Sequence, residues 1–467
     1  MGYRKAKNNS ILFALLTLAL DILVLSGIYA LSILFRQEVF GTGGRMEWEV
    51  MAAIVIATVV PLAMVGGYNR YTQMSSARFL SEHAVASFIS LLLGFTVVFA
   101  FTTFGQTLNA ARGNVGVTLI CFPALSILYR SALSRRVQRS LAGQVLFVVG
   151  NGSLAKDFLR MLKRFSWPGE VHFFATNPKR VGQPLVENDP GSPTLRGDLN
   201  SAVSEQLNRL TSVVIAAQSE ELTSRQRQQL MEMHFRETVA QSFYSFCSTY
   251  WKFVPTSQLS LWWVIDDGFR LNRDFTFERF KRLFDVILSG LGLILLAPLF
   301  AVVAIAVRME SKGPAIFRQL RVGLGEQTFT VYKFRSMRQG SQNGDKYTRE
   351  SDQRITRIGN FLRKSRIDEL PQLWNVLKGD MSLIGPRAEW VDLVKDYEIK
   401  IPYYHFRHLV RPGITGWAQV NYPYGANLQD TIEKLKYDLY YVRHYSFTLD
   451  LAIVLKTIYT MIGGKGR

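Results

Sequence analysis

Cysteine and acidic side chains are both scarce in this chain of 467 residues. Its two cysteines, Cys121 and Cys247, are too few for a disulfide scaffold or a cysteine-rich zinc site. Only 36 Asp and Glu stand against 55 Lys and Arg, which gives a net charge of +19, and charged residues make up just 19% of the chain. We expect anionic partners, and we expect no nucleic-acid partner.

Hydrophobic residues reach 48% and lie in blocks instead of alternating along the chain. This content excludes a disordered chain, which would be poor in apolar residues, and the blocks argue against an ordinary soluble enzyme. The length is enough for three domains of roughly 150 residues each. We therefore predict a membrane protein of mixed α and α/β class whose water-exposed parts meet anions.

Four apolar runs occupy the first third of the chain: Ile11–Phe35, Val50–Tyr68, Ala84–Phe104 and Val115–Tyr129. Crossing the hydrocarbon layer takes about 20 apolar residues, so the first three runs are long enough and the fourth is marginal. The first run is too long for a cleaved signal peptide, and no small-residue cleavage pattern follows it. We predict a four-helix transmembrane region over residues 1–140.

Basic residues are distributed unevenly among the loops between these runs. This excess of basic residues predicts that the N-terminus and everything after residue 130 lie on the cytoplasmic side of the membrane. Asp21, inside the first run, is costly in lipid, so we expect it to face other helices in a packing role rather than a transport role. The basic residues of the cytoplasmic side are Arg4, Lys5, Lys7, Arg70, Arg78, Arg130, Arg135, Arg136 and Arg139, and those of the other side are Arg36, Arg45 and Arg112.

A dinucleotide-type β-α-β pattern begins after residue 144. Val145–Val149 is an apolar strand, and Gly150-Asn-Gly152-Ser-Leu-Ala155 then leads into a helical stretch. Val171–Ala175 and Val213–Ala217 are predicted as further strands. The acidic residue that would bind a ribose hydroxyl about 20 positions on is missing. We predict a Rossmann-like module over 141–270, and we favour one without a bound dinucleotide over a regulatory nucleotide or sugar-nucleotide site.

A fifth apolar run, Val286–Val307, follows a linker near Arg270–Phe277 and contains Pro298 near its middle. Proline removes a backbone hydrogen bond and breaks a helix. The run therefore predicts a re-entrant helix at about 281–309 that returns to the cytoplasmic side, whereas a full crossing would place residues 310–467 outside. Basic residues on both flanks favour the re-entrant path. They are Arg279, Lys281 and Arg282 before the run, and Arg308 and Lys312 after it.

Asp368 and Glu369 lie between a run of cations and a short apolar helix. Five Lys and Arg occur within residues 354–366, Pro371 opens the helix and Gly379 follows its end. Helix N-termini favour anions, and neighbouring helical residues point about 100° apart. One carboxylate can then face a reacting phosphorus while the other holds a metal or orients the first. The cations should keep both carboxylates ionised. A capping role for Asp368 is the alternative.

Further cations lie in patterns that suit phosphate. Lys333 and Arg335 are two apart, so on a strand they share a face, although a solvated edge strand would explain them too. Arg387 and Arg411 each adjoin a proline on a turn, and a guanidinium on a rigid loop suits bidentate phosphate binding, with simple turn chemistry as the alternative.

His405 and His408 have a spacing that could place two imidazoles on one face of a helix as metal ligands. No third ligand is evident nearby in the sequence. We therefore predict no metal site there.

Residues from about 279 to 467 resemble the bacterial polyprenyl-phosphate sugar-1-phosphate transferases, the monotopic phosphoglycosyl transferases. Four spans and an α/β module ahead of this domain, which we place at 271–467, resemble the long, exopolysaccharide-initiating branch of that family. Two positions depart from the family pattern: Ala297 replaces a frequent serine, and Ala388 replaces a frequent proline. The motifs that carry the resemblance are Lys333–Met337, Asp368–Asn375, Gly379–Arg387 and Arg411–Trp417.

The resemblance implies a two-step phosphoryl transfer. It makes Asp368 the nucleophile on the β-phosphorus of a UDP-sugar, with release of UMP, and undecaprenyl phosphate the acceptor that attacks the aspartyl intermediate. It also makes Asp368 and Glu369 ligands of Mg²⁺. Glucose is the sugar we expect, with galactose next, and a homodimer at the lipid bilayer is compatible with the family. The implied substrate-binding residues are Lys333, Arg335, Arg366, Arg387 and Arg411.

Two other functions were weighed against this one. A membrane-anchored nucleotide-sugar dehydratase or reductase would need a Tyr-x-x-x-Lys pair, and here that spacing occurs only at Tyr3 and Lys7, outside any catalytic domain. A non-enzymatic scaffold of envelope assembly would be inert with every UDP-sugar and lipid acceptor.

Overall fold

The computed structural model describes residues 2–41, 48–68, 74, 77–104, 109–142, 145–167, 169–206, 212–235, 239–256, 259, 275–338, 354–422 and 427–462. The chain forms two compact units, Met1–Trp251 and Lys252–Arg467. Most of the predicted linker, and the loop cations Arg45 and Arg70, lie outside the described residues. The domain limits at 140 and 270 stay predictions.

Each of the four apolar runs is helical where it is described, except that residues 65–68 form a turn. Two stretches of the described chain, Ile11–Phe40 and Gly113–Val137, are long and apolar enough to cross a membrane. Trp48–Met64 and Glu82–Thr96 are shorter apolar helices, so the prediction of four spans stays a prediction. The helices are α1 (Gly2–Phe40), α2 (Trp48–Met64), α3 (Ala77–Phe104) and α4 (Asn109–Ala142).

Asp21 of α1 is fully buried against α4, as expected for a packing role. Its carboxylate accepts hydrogen bonds of 2.7 Å from both terminal nitrogens of Arg130 and further bonds from the hydroxyls of Tyr68 and Tyr129. A carboxylate in this setting needs a partner charge. Arg130 supplies that charge from inside the helix, so counting it among the loop cations was wrong.

The second half of the first unit is a five-stranded parallel sheet in the order β3-β2-β1-β4-β5. The first strand, Val145–Val149, is buried along its whole length and coincides with its predicted bounds. The elements are β1 (Val145–Val149), α5 (Ser153–Arg164), β2 (Glu170–Ala175), β3 (Leu195–Asp198), α6 (Leu199–Gln206), β4 (Ser212–Ile215), α7 (Ser224–Phe235), β5 (Val239–Ser242) and α8 (Phe243–Phe246).

The glycine turn after β1 lies close to the carboxylate of Glu221. A Cβ at Gly152 would lie 2.7 Å from Oε1 of Glu221. At the end of β2, where a ribose-binding acid is missing from the sequence, Thr176 donates its backbone N–H to the side chain of Asn151 at 3.3 Å. An anion beside Gly152 would repel a phosphate group at that turn.

The second unit starts with two apolar helices, α9 (Phe275–Leu295) and α10 (Ala297–Glu310), whose axes differ in direction by 60°. Pro298 lies in the first turn of α10, where a missing N–H is tolerated. The bend therefore falls where the sequence predicts an interruption. A re-entrant path through a membrane stays a prediction.

Short helices and strands pack against this pair. The side of α10 buries Val303 and Val307 against Phe334 and Leu362. A second small core joins Val331 to Val376, of the helix after Pro371, and to Met381. The elements are β6 (Ile316–Val322), β7 (Thr328–Phe334), α11 (Arg357–Lys364), α12 (Gln372–Lys378), β8 (Ser382–Ile384), α13 (Val391–Lys400), β9 (Gly413–Thr415), α14 (Trp417–Asn421), α15 (Leu428–Arg443) and α16 (Phe447–Ile462). The antiparallel hairpin β6–β7 and the parallel pair β8–β9 are its sheets among the described residues.

Candidate active site

Glu369 is the centre of a buried charge cluster in the second unit. Its Oε1 accepts hydrogen bonds from Lys333 Nζ at 2.9 Å and Arg387 Nη2 at 3.0 Å, and its Oε2 lies 3.8 Å from Arg366 Nη1. Burial alone would raise the pKa of this carboxyl, but Lys333 and Arg387 lower it well below its usual range. Glu369 is therefore ionised at neutral pH, as the sequence predicts.

Asp368 differs from its neighbour because its carboxylate has no partner among the described residues. The residue is only 9% exposed, yet within the described chain its side chain forms no hydrogen bond or ion pair. Burial, and then the charge of Glu369, raise its pKa, with Lys333 and nearby arginines acting in the opposite direction. The cations therefore do not lower the pKa of Asp368 as they lower that of Glu369, and the expectation that Asp368 is ionised stays a prediction.

The local backbone explains how both carboxylates face the same site. They belong to a 3-10 turn, Ile367–Glu369, which follows Arg366 in the left-handed region at φ 60°. Pro371 precedes α12, and Gly379 ends it at φ 97°, as the sequence predicts. Neither the turn nor α12 has a side-chain cap, so the capping alternative for Asp368 is wrong.

Burial separates the cations around Glu369 into two groups. Lys333 is 15% exposed and contacts Glu369 from the buried side of the site. Burial lowers the pKa of Lys333 to about 8, although the charge of Glu369 acts in the opposite direction. Arg387 and Arg366 are 34% and 31% exposed. These two guanidiniums keep donors available to a ligand in solvent, since each has five N–H groups.

Arg335 lies away from this cluster. Its strand ends at Phe334, and its guanidinium donates to the backbone oxygens of Lys312 at 3.0 Å, Ser311 at 2.6 Å and Val307 at 3.3 Å. These are carbonyls at the C-terminus of α10, where cations satisfy unpaired acceptors. The prediction of a phosphate-binding Arg335 is therefore corrected to a helix-capping role. The side chains of Arg335 and Lys333 contact different parts of the unit, although the two residues are only two positions apart.

Arg411 lies at the opposite end of α12 from Asp368. Its Nε donates at 3.3 Å to the backbone oxygen of Gly379, the residue that ends α12. The backbones that adjoin the β8–β9 pair are in close contact. A Cβ at Gly385, the residue after β8, would lie 2.2 Å from the backbone oxygen of Arg411. The structure thus places Arg411 in the support of the site rather than at the carboxylates.

Two side chains of α9 make contacts that the sequence did not reveal, one with α12 and one with β8. Arg282 donates to the carbonyls of Val376 at 2.5 Å and Leu377 at 2.7 Å at the end of α12, where helix carbonyls have no partner within the helix ladder. Asp285 accepts from Leu383 N at 3.0 Å. The sequence showed Arg282 only as a flanking cation, since its partners are backbone groups.

The residues present fit a divalent cation. Mg²⁺ is bound through one or two carboxylates together with phosphate oxygens of a substrate. Asp368 offers an unpartnered carboxylate, and Oε2 of Glu369 has only the more distant Arg366 beside it. This donor set would hold a metal once a diphosphate adds its own oxygens.

Comparison with known proteins places the second unit among bacterial enzymes. Residues 276–464 match the family described as bacterial sugar transferase. The exopolysaccharide production protein PSS of Rhizobium leguminosarum bv. phaseoli is 41% identical over 194 residues, which are 40% of this chain and 97% of that protein.

Two other relatives, both longer than the Rhizobium protein, are named for the reactions that they catalyse. A UDP-N-acetylgalactosamine-undecaprenyl-phosphate N-acetylgalactosaminephosphotransferase of Aeromonas hydrophila is 49% identical over 187 residues, 40% of this chain and 44% of that protein. A UDP-glucose:undecaprenyl-phosphate glucose-1-phosphate transferase of Xanthomonas campestris pv. campestris is 44% identical over 199 residues, 42% and 41% of the two chains. The chain spans less than half the length of each of these two relatives.

Proposed function

The chain belongs to the bacterial sugar transferase family, and we propose on this basis that it transfers a sugar-1-phosphate from a UDP-sugar to undecaprenyl phosphate and so initiates exopolysaccharide synthesis. The observation that carries the proposal is the carboxylate of Asp368, which has no partner among the described residues, beside Glu369, whose Oε1 accepts from Lys333 and Arg387. A carboxylate that serves only structure would be expected to have a partner when buried.

In the first step, an oxygen of Asp368 attacks the β-phosphorus of the UDP-sugar. A new bond forms between that oxygen and the phosphorus, while the bond from the phosphorus to the bridging oxygen breaks and UMP leaves with the electron pair. The product is an acyl phosphate that carries the sugar, a covalent intermediate on a carboxylate. The raised pKa of Asp368 indicates a carboxylate that is poorly stabilised and therefore more nucleophilic.

In the second step, a phosphate oxygen of undecaprenyl phosphate attacks the same phosphorus. The bond to Asp368 breaks, its carboxylate is regenerated and the lipid diphosphate sugar is released. The apolar pair α9–α10, tied to α12 through Arg282, would bring the lipid phosphate to the site from the bilayer.

Arg387 and Arg366 are proposed to bind the diphosphate, because both are partly exposed and adjoin Glu369. Lys333 is proposed to hold Glu369 in place and to contribute its charge from the buried side. Mg²⁺, held by Asp368 and Glu369, would neutralise negative charge on the diphosphate when it is bound.

The remaining architecture is proposed as follows. Residues 1–140 form a four-helix transmembrane region, 141–270 a Rossmann-like module, and 271–467 the catalytic domain, on the cytoplasmic side of the inner membrane. The carboxylate of Glu221 beside Gly152 supports a module without a bound dinucleotide. Glucose is the proposed sugar, and a homodimer the proposed assembly, although the named relatives act on both glucose and N-acetylgalactosamine donors.

The test is UMP release by the full-length chain in detergent with Mg²⁺, undecaprenyl phosphate and a panel of UDP-sugars. Asp368→Asn should abolish release and leave the unfolding temperature near that of the wild type. Asp396→Asn is the matched control, since Asp396 lies on α13, outside the family motifs, and pairs with the exposed Lys400 at 2.6 Å. It should remain active.

A second measurement addresses the intermediate. Without the lipid acceptor, a sugar-labelled donor should leave label on the peptide that contains Asp368, and hydroxylamine should release it. Turnover by Asp368→Asn, or label on a different residue, would remove Asp368 from the role of nucleophile.

A further inference from the structure

His408 is a buried histidine whose ring has no hydrogen-bond partner. The side chain is 6% exposed, and neither Nδ1 nor Nε2 forms a hydrogen bond in the structure. One ring edge is closed by Tyr404, whose ring lies 5.8 Å away in an edge-on arrangement. A buried polar group left without a partner is destabilising, so an unsatisfied imidazole points to a ligand.

Two carboxylates converge on this ring from different elements. Glu326 ends a 3-10 turn, Leu324–Glu326, between β6 and β7, and Glu398 lies on α13. One ligand atom of each and one ring nitrogen of His408 all lie within 4.8 Å of one another, and Glu398 Oε1 is 4.0 Å from Nδ1. We call these three residues the His408 cluster.

No cation of the described chain neutralises the cluster. Neither carboxylate pairs with a lysine or arginine there. The neighbouring Arg407 is already engaged by Asp438 at 2.8 Å. The site therefore places two exposed carboxylates beside a buried imidazole whose nitrogens have no hydrogen-bond partner among the described residues, and imidazole nitrogen is a common metal ligand.

We propose that Glu326, Glu398 and His408 bind one divalent transition-metal ion of the Zn²⁺ class, separate from the Mg²⁺ site of the active centre. Zn²⁺ takes imidazole nitrogen and carboxylate oxygen at about 2.0–2.2 Å, which the exposed glutamates reach by small side-chain rotations. Imidazole disfavours Mg²⁺ and Ca²⁺, which prefer oxygen ligands.

Such an ion would join segments that shape the active site. The turn that carries Glu326 belongs to the hairpin of Lys333, and Arg407, next to His408, donates to the backbone oxygen of Arg387 at 2.9 Å. Lys333 and Arg387 are the two residues that hydrogen-bond Glu369. The ion would act as a clip that stabilises their positions without contacting substrate.

The experiment is calorimetric titration of the full-length chain with Zn²⁺. The protein is purified in detergent without a polyhistidine tag, stripped with EDTA and kept in excess Mg²⁺ so that the active-site carboxylates are occupied. One Zn²⁺ per chain is expected, and Glu326→Gln and Glu398→Gln should each weaken binding at least tenfold. Absence of stoichiometric binding, or unchanged affinity in both variants, would overturn the proposal.

Matched controls locate the ion. Asp396→Asn, a carboxylate of α13 that pairs with Lys400, and His405→Gln should both bind Zn²⁺ like the wild type, whereas His408→Gln should not. Because His408 is buried and its variant could fold poorly, the test is decided by the Zn²⁺ affinities of the variants at the two exposed glutamates. Zn²⁺ should also raise the unfolding temperature of the wild type but not that of Glu398→Gln. An equal rise in both proteins would mean that the ion binds elsewhere.

Discussion

Glu369→Gln tests whether this carboxylate is the anionic centre of the site. The substitution keeps the shape of the side chain but leaves Lys333, 15% exposed, without its counter-charge. Removing one member of a buried pair costs about 3–5 kcal/mol. Arg387 is 34% exposed and can turn toward water, so we expect the lower end, about 3 kcal/mol. For a unit of this size that corresponds to a fall of roughly 6–12 °C in the unfolding temperature.

The assay is thermal unfolding of the full-length protein in detergent at pH 7, followed by tryptophan fluorescence. Asp396→Asn is the comparison, because its pair with Lys400 is 42% and 52% exposed on the two sides. An exposed pair contributes about 0–1 kcal/mol, so this variant should shift by no more than about 4 °C. If Glu369→Gln unfolds within the same interval, the reasoning about the buried cluster is refuted.

The stability difference between the wild type and Glu369→Gln should depend on pH. The folded-state pKa of Glu369 lies well below the ordinary value of 4.5, so its contribution to stability is present above about pH 4.5 and is lost as the pH falls through the folded pKa. The difference between the wild type and Glu369→Gln should therefore be constant from about pH 5 to 7 and shrink in acid. A difference that grows in acid would contradict this sign.

Three further substitutions test other contacts of the second unit. Arg335→Met should destabilise the protein by about 2 kcal/mol, because charged hydrogen bonds are lost. UMP release by the folded fraction should change less than about threefold. A fall in UMP release by several orders of magnitude would instead indicate that Arg335 binds substrate. Gly385→Ala places a Cβ 2.2 Å from a backbone oxygen and should lower the unfolding temperature, whereas Gly290→Ala, with no atom within 4 Å, should not. Arg407→Met leaves Asp438 buried and unpaired, so a loss of about 3–5 kcal/mol is expected in thermal unfolding.

Local features of the fold could be predicted from the sequence where one residue type allows few alternatives. The strand Val145–Val149 is fully apolar and bounded by Gly150, so its limits were predicted correctly. Pro371 and Gly379 fixed both ends of α12 in the same way. The bend beside Pro298 followed from the missing N–H of proline.

The partners of charged side chains could not be predicted in this way. Arg335 and Lys333 are two positions apart, yet one caps α10 and the other contacts Glu369, because β7 ends between them. Arg130 was counted as a loop cation although Asp21, more than a hundred positions earlier, holds it inside a helix. The approach of Glu326 and Glu398 to His408 could not be predicted either, because the three residues come from different segments of the chain.

The sequence by itself determined the apolar blocks, the paired carboxylates Asp368 and Glu369, and the motifs around them. These depend on residue type and on spacing within one or two turns of chain. The tertiary structure decided which of the two acids is paired and which is free, since Lys333 reaches Glu369 across 36 positions and Arg387 across 18. A guanidinium or ammonium group can donate to a carbonyl as well as to a carboxylate, so the path of the folded chain decides which of the two it meets.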